Sequence, residues 1–168
     1  MSSSRVDTLS DNSYGVIGQP VYLLVVLLVV AAIITVFSVS LQHIINDVQI
    51  HHVEQEIDRI MTEAANMYEY ADEGTVITLH VSFPGSLRCL VFGALPTNGT
   101  MEPTNRTLDE HANNNYYYIM NDGTLRLFHS NARFSSKNLT QIAVFRSGTY
   151  DLTLALCYLE GNTYVTMY

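Results

Sequence analysis

Residues 21–41 read VYLLVVLLVVAAIITVFSVSL, and not one of them is charged. The uncharged stretch is wider still, because no Asp, Glu, Lys or Arg stands between Asp11 and Asp47. A helix needs roughly 20 apolar residues to cross the ~30 Å hydrocarbon core of a bilayer, and this run supplies them. A helix that is apolar all round belongs in a membrane or deep inside a large core. A buried core helix is rarely this apolar all round, so the run is read as a membrane helix. Pro20, just before it, suits a first helical turn, where its missing N–H costs no hydrogen bond.

Beyond Leu41 the pattern turns periodic. Leu41, Ile44, Ile45, Val48, Val53, Ile57, Ile60, Met61, Ala64, Met67 and Tyr68 recur at threes and fours, apart from one step of five between Val48 and Val53. Charged residues fall between them, which gives one apolar stripe on a continuing helix. No Pro or Gly interrupts residues 21–71, and the first stop signal is Asp72-Glu73-Gly74, where Gly74 suits a C-cap. Fifty or so residues at 1.5 Å each predict a rod of about 75 Å, less than half of it in a membrane. Its aqueous stripe must dock neighbouring helices or the domain that follows.

From Thr75 the texture becomes β. Residues 75–83 alternate and end at Pro84-Gly85, and residues 87–95 make a second strand. The polar residues 96–115 read as a long loop. Residues 116–120 and 124–129 flank Asn121-Asp122-Gly123 as a hairpin, since Asp-Gly supplies the positive φ angles of a tight turn. Residues 141–146 form a further strand, and residues 150–159 and 163–168 a closing hairpin about Glu160-Gly161-Asn162. Six or seven mostly antiparallel strands are expected. The fold class is therefore α+β: a leader (1–18), a long helix (19–73; membrane-spanning 21–41, amphipathic 42–71) and a small antiparallel β domain (74–168). About 95 residues suffice for one such domain, not two.

The net charge of -8 is uneven. Residues 47–73 hold eight acids against Arg59 alone, whereas residues 74–168 hold six of each sign. With a single lysine and no basic cluster, the chain lacks the footprint that displaces counterions from phosphates, which argues against nucleic acid as a partner. The leader carries Arg5 while the first residues past the membrane run are acidic, which places the N-terminus inside and the β domain outside.

A polar leader ending at Gly18, then Gln19, then an apolar helix that runs on as an amphipathic one into a small β domain resembles the archaeal type IV pilin-like proteins with class III signal peptides. The resemblance spans the chain in layout and implies a pilin-like fold. It implies that a prepilin-type peptidase cuts between Gly18 and Gln19 and leaves the helix on the mature protein. Ile17 stands where the family usually has a basic residue, and Leu23 where many members carry Glu, so the chain resembles a minor pilin or pseudopilin more than a major one. The role implied is a filament subunit or a pseudopilin of a secretion-like machine, built with copies of itself or other pilin-like subunits. Val21, Leu24, Leu28, Ala31, Ile34 and Phe37 form the expected polymerisation core. At roughly 25 cal/mol per Å² their exposure to water is prohibitive, so such helices must bundle when they leave lipid. Ile44, Val48, Val53, Ile57, Ile60 and Met61 form the expected docking stripe. The alternative is a monomeric single-pass anchor displaying a β domain as a surface binding or adhesion module.

Smaller signals remain. Asn98, Asn105 and Asn138 each begin an Asn-X-Thr triplet and are glycosylation acceptors if the domain is outside the cell. Cys89 and Cys157 are either one disulfide or two free thiols. His52 and Glu56 share a helix face with His51 nearby, but no third ligand accompanies them, and a solvated face is the reading taken. The run from Asn113 to Tyr118 reads equally as an adhesive surface or as ordinary strand tyrosines. No nucleophile elbow or phosphate-cradling glycine loop occurs, so no enzymatic activity, metal or cofactor is expected.

Overall fold

The computed structural model describes residues 14–97 and 102–168, with side chains from residue 20 onward. One helix, α1 (Tyr14–Tyr70), precedes eight strands: β1 (Val76–Phe83), β2 (Leu87–Phe92), β3 (Asn115–Met120), β4 (Leu125–His129), β5 (Phe134–Ser136), β6 (Ala143–Phe145), β7 (Gly148–Leu159) and β8 (Asn162–Met167). The protein is thus α+β, as its sequence predicts. The chain divides into two compact units at Ile45/Asn46.

The helix limits differ from the expected ones. α1 begins at Tyr14, so Pro20 lies inside it and removes one intrahelical hydrogen bond. At the other end α1 stops at Tyr70, and Gly74 is not its cap. Gly74 takes φ +87° within the turn that follows, and its N–H reaches the Leu156 carbonyl at 2.9 Å, which launches the chain into the sheet.

In the second unit the strands form two four-stranded sheets, ordered β1-β7-β8-β5 and β4-β3-β2-β6. Every pairing is antiparallel except β5 with β8. Alternation along the strands sends Val81 and Phe83 of β1, Leu152, Leu154 and Leu156 of β7, and Leu90 and Phe92 of β2 into one shared core, as the two-residue period of a strand demands. Val53, Ile57, Ile60, Ala64 and Met67 of α1 enter the same core, spaced four, three, four and three apart. Polar ties hold the helix to an edge strand of each sheet. Arg59 donates to the His80 carbonyl on β1, and Glu54 meets Arg126 on β4 at 3.2 Å. On the other side, β5 and β6 approach each other through the Ser136 N–H, which donates to the Gln141 carbonyl at 2.7 Å.

The stretch expected as a long loop acts in part as a cover. Leu108 and Ala94 lie over Cys89, Val91, Tyr117, Ile119 and Ile142 on the outer face of the second sheet, and Thr107 bridges Gln141. Gly93 starts this excursion at φ +88°, with room for no side chain: a Cβ there would stand 2.7 Å from the Phe134 carbonyl oxygen.

Candidate functional site: the apolar helix and its aqueous continuation

The first unit holds the described part of the uncharged run. Its large apolar side chains from Val21 to Leu41 are between 42% and 73% exposed, so the helix is covered by nothing in its own unit. It is long and apolar enough to cross a membrane. Thr35, Ser38 and Ser40, its serine and threonine residues, each donate back to the carbonyl four residues earlier at 2.8 to 3.0 Å. Their polarity is thereby turned onto the helix backbone, as an apolar surrounding requires. Val21, Leu24, Leu28, Ile34 and Phe37 of the expected polymerisation core are all exposed, and Ala31 is exposed with them. Gly18 and Gln19 lie in the helical backbone ahead of the residues whose side chains are described.

The docking stripe splits in two. Val53, Ile57 and Ile60 are buried against the protein's own β domain, and Met61 packs at the margin of that core. Val48, in the same unit, is 63% exposed. Nine residues separate Val48 from Ile57, which at 3.6 per turn puts them about 180° apart around the helix axis. Ile44 is likewise exposed, at 58%. The step of five between Val48 and Val53 is therefore a change of face, not an irregularity within one stripe. Ile50, partly buried against the core, starts the buried series instead.

The acidic residues of this segment meet the few bases. Glu54 receives the Tyr118 hydroxyl at 2.8 Å as well as Arg126, and Glu56 pairs with Arg59 at 2.9 Å. Burial pushes the Tyr118 phenol well above its ordinary range, and the bond to Glu54 adds to the shift. His52 stands 4.0 Å from Glu56, and His51 contacts Gln55. Among the described residues no cluster of three or more His, Cys, Asp or Glu assembles.

Cys89 and Cys157 are both free and are not brought together. Cys89 lies on the outer face of the second sheet beneath Leu108. Cys157 follows inward-facing Leu156 on β7, so it turns to the outer face of the first sheet, where its sulfur sits 3.9 Å from the Thr166 hydroxyl. Tyr116, Tyr117 and Tyr118 are all buried, so the Asn-Tyr run presents no tyrosine surface. Asn105 is exposed and uses its side-chain oxygen to receive the Thr107 N–H at 3.0 Å. Asn138 is exposed in a turn, and Asn98 lies outside the described residues.

Comparison with protein-family models, with curated proteins and with solved structures finds no match in any of the three.

Proposed function

We propose that the protein is a single-pass membrane subunit of an archaeal type IV pilus-like assembly, a minor pilin or pseudopilin, in which the apolar helix packs against like helices and the β domain faces outward. The observation that carries this reading is the continuity of α1: one helix passes from an uncovered, uncharged half into a half that is a structural part of the β-domain core. A cleavable signal has no need of that continuity. A subunit whose membrane helix runs on as part of its outer domain's core does. Gly18 and Gln19 supply the processing site in this reading, and no reaction is assigned to the protein.

The test is immunogold microscopy of the sheared surface fraction of native cells. Labelled filaments support assembly. Recovery of the protein solely as a membrane-bound monomer, with no labelled assembly, contradicts it and leaves the displayed β domain as the function.

A further inference from the structure

A cleft of about 250 Å³ opens where the β7–β8 turn meets the segment around Leu139 and the cover around Leu108. Leu108, Leu139 and Leu159 line it with apolar surface, and Tyr164, itself buried, reaches its lining. Thr107, Glu110, Thr140, Glu160 and Asn162 add polar groups. Among the described residues none offers a side-chain partner to the hydroxyls of Thr107, Thr140 and Tyr164 or to the carboxylates of Glu110 and Glu160. Arg133 already occupies the side-chain oxygen of Asn162, so the amide NH2 is what Asn162 has left to donate.

A second, independent observation falls on the same place. Leu139 (φ +57°) and Glu160 (φ +49°) are the two non-glycine residues with positive φ among the described residues, and both line this cleft. Glu160 and Gly161 (φ +86°) form the two-residue turn between β7 and β8, a turn type that favours Asn, Asp or Gly at its first position. Glu stands there at a conformational cost. Strain of this kind concentrates where a side chain is wanted for a ligand.

We infer that this cleft binds a neutral saccharide unit. Carboxylates, hydroxyls and an amide NH2 together match sugar hydroxyls, which both donate and accept, while the leucine surface suits the C–H face of a pyranose ring. No Lys, Arg or His lines the cleft, which disfavours phosphorylated, sulfated or sialylated ligands. The inference does not depend on filament assembly, since either an assembled subunit or a lone anchor presents the same β domain.

The experiment uses the full chain in phosphatidylcholine nanodiscs, produced in a host that does not N-glycosylate, so that Asn138 beside the cleft carries no sugar of its own. Saturation-transfer NMR is recorded with glucose, galactose and N-acetylglucosamine as probes. Transfer to at least one sugar is expected. Glu160→Gly and Thr107→Val should each weaken that sugar by about tenfold, the loss of one hydrogen bond to a charged or hydroxyl group. Glu160→Gly should at the same time leave the unfolding midpoint unchanged or raise it, because glycine accepts the turn's φ freely. Absence of transfer to all three sugars, or binding that survives either substitution, overturns the assignment.

Discussion

Tyr118 on β3 donates its phenolic hydrogen to the Glu54 carboxylate on α1 at 2.8 Å, although the two residues lie 64 positions apart in the chain. The same carboxylate holds Arg126 of the edge strand β4, so one acidic side chain fixes the helix against two neighbouring strands. Tyr118→Phe should cost about 1.5–3 kcal/mol, the worth of a hydrogen bond to a charged group. Glu54→Ala should cost more than Tyr118→Phe, because it leaves a buried phenol and Arg126 without their shared acceptor. The double variant should cost less than the sum of the two. Chemical denaturation of the full chain in micelles measures all three, and strict additivity would show that the pair does not interact.

Alkali should unfold the β domain through groups that fold in their protonated form. Burial pushes the Cys89 thiol from its ordinary 9.0 up to about 11, with nearby Glu102 adding to the rise, and burial pushes the Tyr117 phenol to about 12. Tyr116 and Tyr118 are raised in the same direction. Each folded pKa exceeds its unfolded value, so the unfolded chain loses its protons first as pH rises. The stabilisation is whole below the unfolded values and is lost as pH climbs through the folded ones. Stability should therefore begin to fall near pH 9 and continue falling through about 12 and beyond it, where Tyr118 still holds its proton. Cys89→Ala should move the onset toward the tyrosine range near 10. A fall in stability that begins below pH 8 in the wild type would contradict this account.

The two thiols should differ in reactivity. Cys89 is fully buried and its thiolate is disfavoured, whereas Cys157 is partly exposed. Brief iodoacetamide treatment of the folded protein followed by mass spectrometry should add one carbamidomethyl group, at Cys157, and a second only after denaturation. A native mass unchanged by reductant is expected alongside, since the fold keeps the two cysteines apart on different sheets.

The two faces of the aqueous helix should answer oppositely to truncation. Ile60→Ala empties a site in the shared core and should cost about 2–5 kcal/mol. Val48→Ala removes an exposed side chain and should change the stability of the domain by less than about 0.5 kcal/mol. Thermal unfolding of the two variants side by side reads the difference. Equal losses would mean that Val48 belongs to the core.

How much of this was legible follows from range. The uncharged run and the closing β7–β8 hairpin rest on local chemistry, and each forms where its residues predict. The β3–β4 hairpin also turns at Asn121-Asp122-Gly123, but Gly123 takes a positive φ and Asp122 does not, so the connection is longer than the tight Asp-Gly turn expected. β5 escapes a local reading because Phe134-Ser-Ser has neither length nor alternation, and it is a strand only by pairing in parallel with β8, some thirty residues on. The cover around Leu108 reads as loop because partners such as Cys89 and Ile142 are distant in sequence. The change of helix face was present in the spacing from Val48 to Val53, and an angular reading of that step would have found it. The cleft was hidden for a different reason: Glu160 reads as an ordinary turn residue until its φ and its distant neighbours are known.

The most direct test of the proposed role is the intact mass and N-terminal sequence of the protein recovered from its native cells. The account predicts a chain that begins at Gln19 and keeps the whole apolar helix. A chain that still begins near Met1 in the membrane fraction, or one cut beyond Leu41, would contradict it.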